Sequence, residues 1–222
     1  MKATKMVIVS SVVAGIFAMQ PTYAFNLSSP LGGSSSSGAT DNMAAQDALV
    51  KSFVASQIEV FKAQSLLAQA YGLKDQAKLC DDQANTLQST SVDSDTLKKT
   101  VDLSNNAMDQ ISDQQKKQAS LTDDEKRFYV QSLPHFALGV IGTHDVVEKA
   151  ATFTSGVKNS GSSVGGLLSM GTSKLASGMF IAKATPSYSK NLFDVFRKTV
   201  TIGENSGVKA PADVTSALGS LD

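Results

Sequence analysis

The 222 residues contain one cysteine, two histidines and four glutamates, and these scarcities close off several common site chemistries. A single thiol, Cys80, cannot form an internal disulfide, so packing alone must hold the fold together. Free cysteine is among the most buried residue types, and the expected role of Cys80 is that of a small core hydrophobe. A carboxylate-bridged metal centre in a helical bundle needs inward glutamates and Glu-x-x-His motifs on facing helices. None of Glu59, Glu125, Glu148 and Glu204 starts such a motif. His144 and Glu148 stand four residues apart, which predicts a surface ion pair, since a closed zinc site wants four ligands. His135 lies half a turn around the axis from His144 and cannot join it at one site on a straight helix. No G-x-x-x-x-G-K or G-x-G-x-x-G pattern occurs, which removes the usual phosphate cradles. No metal and no cofactor is expected.

An excess of either charge is also missing. Twenty basic residues balance twenty acidic ones, and a neutral chain lacks the basic footprint that nucleic acid requires. The balance is uneven along the chain: Asp41–Lys126 holds 14 acids and 9 bases, Arg127–Asp222 holds 9 bases and 6 acids.

Long apolar runs are absent too. The most apolar segment, Met6–Met19, is shorter than the roughly 20 residues of a membrane span. It follows Lys2 and Lys5 and precedes Thr22-Tyr23-Ala24, a sequence with the small −3 and −1 residues of a signal-peptidase site. Residues 1–24 therefore read as a signal peptide, with the mature chain beginning at Phe25 in the periplasm or outside the cell. The composition of Ser28–Thr40 predicts a flexible linker over 25–40, followed by a body over 41–222 whose size suits one domain.

That body has neither alternating β-branched runs nor an Asn-Gly or Asp-Gly hairpin signal. What it has is helical periodicity. The spacing predicts an all-α, single-domain, elongated helical bundle of about six helices. A first helix, Asp41–Tyr71, carries Met43, Val50, Phe53, Val54, Ile58 and Phe61 on one face, with Val60, Leu67 and Tyr71 widening it, and stops at Gly72. Leu73, Ala77, Cys80, Ala84 and Leu87 then repeat at i, i+4, i+7, i+11 and i+14, as do Leu97, Val101, Ser104, Met108 and Ile111. The polar turn Thr90–Asp95 joins these two stripes into an antiparallel hairpin. Thr122 and Glu125 form a capping box that opens a fourth helical region. Pro134 should break or kink it, with Phe136, Val140, Ile141, Val147 and Ala151 continuing its apolar face to a loop at Ser155–Ser163. Thr185-Pro186-Ser187 reads as another break before a helix with Leu192, Val195, Phe196 and Val200 inward. Gly203–Ala210 reads as a loop, and Pro211 as the start of a last short helix.

Ser162–Lys183 is the most unusual segment, glycine-rich, apolar and sparsely charged. Gly161-Ser162-Ser163-Val164-Gly165 matches the G-x-S-x-G elbow of serine hydrolases, but that elbow needs a preceding strand and a following histidine. The residues before it are loop-like, and His135 and His144 precede it. Taken as a helix, the segment aligns Val164, Leu168, Leu175, Met179 and Ala182, with Gly171 and Gly178 a heptad apart beside them. Small residues on an apolar stripe permit close helix contact, whereas the same stripe could lie on lipid. Packing is the preferred reading, because glycine weakens an isolated helix. Val164, Leu168, Gly171, Leu175, Gly178 and Met179 are the candidate interaction residues. The expected function is that of an exported, non-catalytic module that binds a protein or envelope partner. The alternative is a membrane-active or lipid-binding protein using 162–183, and a serine hydrolase at Ser163 comes third.

Overall fold

A computed structural model describes residues 37–89, 92–118, 120–159 and 175–221, with side chains from residue 41 onward. Six helices and no strand lie among the described residues: α1 (Ser37–Ala70), α2 (Lys74–Ser89), α3 (Ser94–Lys117), α4 (Asp123–Asn159), α5 (Ala176–Asn205) and α6 (Ala212–Gly219). The chain is an all-α helical bundle, and Ser36–Asp222 forms one compact unit.

The helix ends follow local chemistry. Gly72 takes φ +70°, and Gly72 N–H and Leu73 N–H return to the carbonyls of Gln69 and Ala68, a Schellman stop that only a residue tolerant of positive φ makes easily. Gly207 ends α5 in the same way, with φ +80° and a bond from Val208 N–H to Gly203 O. The Asp93 side chain accepts Thr96 N–H at 2.8 Å to cap α3. At the start of α4, Glu125 accepts Thr122 N–H at 2.6 Å while Thr122 Oγ1 accepts Glu125 N–H at 3.4 Å.

Register is readable from the side-chain bonds between helices. Gln46 reaches Gly178 and Gln57 reaches Tyr188, with separations of 132 and 131 residues, so α1 and α5 run parallel. Ser104–Tyr188, Ser112–Lys198 and Gln115–Thr199 likewise keep α3 parallel to α5. The partner order reverses between α1 and α4, where Ser56 meets Gly139 and Thr143 and Glu59 meets His135. The bundle is thus up-down-up-down-up, with α6 lying on α4. Glycine lets α1 and α4 approach: a Cβ on Gly139 would stand 2.6 Å from Val60 Cγ2 and 3.1 Å from Val60 N. The main core combines Leu49, Phe53, Leu67, Leu97, Met108, Phe136, Phe153 and Phe196, and a smaller cluster joins Phe61, Cys80, Ala84, Leu87 and Ala107.

Several expectations need correction. The helix α1 begins at Ser37, four residues inside the stretch expected to be linker. Neither proline ends its helix: α4 runs through Pro134 and α5 through Pro186. Core residues on both sides of each proline, such as Tyr129 with Phe136 and Ile181 with Leu192, are fully buried. Holding both halves against the core outweighs the one hydrogen bond that proline removes. Hydroxyls also occupy carbonyls in those turns, from Ser132 to Tyr129 O and from Thr185 to Ile181 O, each at 2.7 Å. Packing likewise carries α4 on to Asn159 and α5 to Asn205, past residues expected in loops. Met43, Ile141, Val147 and Ala151 are exposed rather than inward. Small and polar residues (Gly139, Thr143, Ser56) fill the α1–α4 contact instead.

Candidate interaction surface

The candidate residues of the glycine-rich segment divide. Val164, Leu168 and Gly171 lie outside the described residues, as does Ser163. Gly178 is buried where α5 meets α1 and α4; its N–H donates to Gln46 Oε1 at 3.0 Å, and a Cβ there would stand 2.8 Å from Phe153 Cζ. Leu175 and Met179 are half-buried against the main core.

His144 sits 3.8 Å from Glu148 on the surface of α4, as the spacing predicts. The other histidine makes a contact that the sequence does not announce. His135 Nδ1 lies 2.6 Å from Glu59 Oε2, and Lys62 donates to Glu59 Oε1 at 2.7 Å. Burial alone would raise the Glu59 carboxyl, but the bonds from His135 and Lys62 outweigh it and hold the group below the ordinary carboxylate range. The pair ties α4 to α1. Among the described residues no three metal-ligating side chains converge, and no helix is long and apolar enough to cross a membrane.

Cys80 is 1% exposed, in the seam between α2, α1 and α3. Burial pushes its thiol up to about 11, which suppresses the reactive thiolate.

The feature that stands out is an apolar ridge on α4. At 100° per residue, Val130, Pro134, Leu138 and Ile141 fall within an arc of about 80°. Val130 is 41% exposed, Leu138 54% and Ile141 45%. Tyr129, Leu133, Phe136 and Val140 point away from this arc and are buried. The helix α4 therefore carries apolar residues on two faces, and only one of them meets the bundle. Arg127 continues the ridge towards the N-terminus and Asp145 and Glu148 towards the C-terminus, at heptad-like steps. The excess of apolar positions on α4 was visible in the sequence, but hydropathy could not say which face would be left outside. No family model, curated protein or solved structure matches this chain.

Proposed function

We infer that the protein is an exported, non-catalytic helical bundle that works by binding another protein through the outer face of α4. The observation that carries this reading is the ridge of Val130, Leu138 and Ile141, held outward by a helix whose other face is locked into the core. Single exposed apolar residues are ordinary, but a contiguous row of them marks interaction sites. A helix presenting apolar residues at three- and four-residue steps is the form that a groove or a second helix recognises. The basic start, short apolar run and Thr22-Tyr23-Ala24 site support export. Leu175 and Met179 lie against the core, so the support rests on α4 rather than on segment 162–183.

Site-specific photo-crosslinking in exporting cells tests the reading. A photoreactive residue at position 138 should trap a protein, whereas one at Lys78, exposed on α2, should not. Absence of an adduct at 138, or equal labelling at both positions, would refute it.

A further inference from the structure

We propose that the occupant of the α4 ridge is a second copy of the same chain, paired antiparallel about a twofold axis at position 136. This rests on the reading of the ridge as a binding face and names its partner. The ridge is self-complementary under that operation. Pro134 and Leu138 each lie two residues from position 136, and Arg127 and Asp145 each lie nine. Because Arg127 and Asp145 are separated by five helical turns, they also share one angular position on the helix. The twofold therefore brings Arg127 of each copy against Asp145 of the other, sets Pro134 against Leu138, and lays Val130 beside Ile141.

Charge selects the antiparallel arrangement over the parallel one. A parallel pair would stack Arg127 on Arg127, Asp145 on Asp145 and Glu148 on Glu148. The antiparallel pair replaces these with two attractive Arg127–Asp145 contacts. Asp123, exposed on the same face, falls near Glu148 of the other copy, a like-charge contact that offsets part of this gain. A parallel pair would add Asp123 on Asp123 to its three like-charge contacts, so charge still favours the antiparallel direction, and the apolar centre supplies the affinity. Within one copy Arg127 is held only loosely, with Nη1 4.0 Å from Asp124, and Asp145 contacts Lys149. The Arg127–Asp124 pair is exposed and exchanges partners at little cost, and the Asp145–Lys149 pair, partly buried, engages Asp145 through Oδ1.

A strip about 30 Å long and about 11 Å wide buries on the order of 350 Å² per copy, well short of the about 800 Å² of a standard stable interface. A contact of that size belongs with weak, transient associations, so the dimer is concentration-dependent.

Sedimentation velocity of the exported protein over a concentration series reaching about 1 mM should show reversible dimerisation. Leu138→Glu should abolish it while leaving the far-UV circular dichroism unchanged. Arg127→Glu and Asp145→Arg should each weaken it roughly threefold to tenfold, and the two together should restore it. In a Cys80→Ala background, Arg127→Cys mixed with Asp145→Cys should give a disulfide dimer, and Asp145→Cys alone should not. A dimer from Asp145→Cys alone would overturn the antiparallel arrangement. A wild-type chain that stays monomeric throughout would overturn self-pairing. If the photoreactive residue at 138 then traps a different protein, the binding-module reading stands without the dimer; if it traps nothing, both fall.

Discussion

Cys80, Tyr71 and Tyr188 share a condition: each is an acid that burial keeps protonated. The thiol rises from 9.0 to about 11, and the two phenols rise from 10.0 to about 12, with burial the largest cause in each case. The sign of the pH effect follows. The folded chain keeps these protons while the unfolded chain begins to lose them near pH 9 and 10, so their contribution is intact below pH 9 and shrinks as pH rises towards 12. Denaturant midpoints should hold steady from pH 7 to 9 and then fall. In the Cys80→Ala variant the early part of that fall should flatten, although the starting stability is lower from lost packing. A thiol reagent should label the denatured wild-type chain quickly and the native chain slowly. Rapid native labelling at pH 8 would remove Cys80 from the seam.

Helix contacts pose a different question, because the glycines that matter were hard to weigh from sequence. Gly178 was recognisable from its apolar surroundings. Gly139 and Gly142 were not, since they sit among residues read as a continuous apolar face. At Gly139 an added methyl meets the Val60 backbone as well as its side chain, so α1 and α4 must separate. Gly139→Ala should lower stability by about 1–3 kcal/mol, even though alanine is the better helix former by roughly 1 kcal/mol. Gly219→Ala is the control, because nothing lies within 4 Å of its added methyl. Equal melting temperatures for the two variants would contradict close packing at Gly139. The two proline-containing helices teach the same lesson from the other side. A local penalty read as a break was overridden by burial on both sides of it.

At the scale of the whole bundle, a buried polar chain links three parallel helices. Gln64 Nε2 donates to Ser104 Oγ at 2.9 Å, and Tyr188 OH donates to Gln57 Oε1 at 2.9 Å. These two roles leave Ser104 donating to Tyr188 OH across the 3.0 Å between them. The chain runs from α1 through α3 and α5 back to α1, and all four residues are buried. Gln57 Nε2 and Gln64 Oε1, at its two ends, have no partner among the described residues, so the middle of the chain carries the compensation for burial. Tyr188→Phe keeps the ring and removes the hydroxyl, stranding Gln57 Oε1 and the Ser104 proton together. It should cost about 1–3 kcal/mol in urea unfolding, with an unchanged denaturant slope. A neutral result would mean that the network contributes nothing to stability.

Features that depend on short-range pattern were legible in the sequence. The all-α class follows from the 3.6-residue periodicity. The stripe Leu97, Val101, Ser104, Met108 and Ile111 is buried throughout, as are Ala77, Cys80, Ala84 and Leu87; only Leu73 stays half-buried. The Gly72 stop and the Thr122–Glu125 box formed because each satisfies backbone groups within a few residues. The rest depended on contacts between helices far apart in the chain. Tertiary packing buried Gln57, Gln64 and Gln115, which hydropathy marks as surface, because partners 40 to 131 residues away satisfy one end of each amide. It left Leu138 and Ile141 outside, because glycine, serine and threonine bring α1 against another side of α4. A single sequence records how apolar each position is, but which face of a two-faced helix meets the bundle depends on how closely the neighbouring backbones can approach.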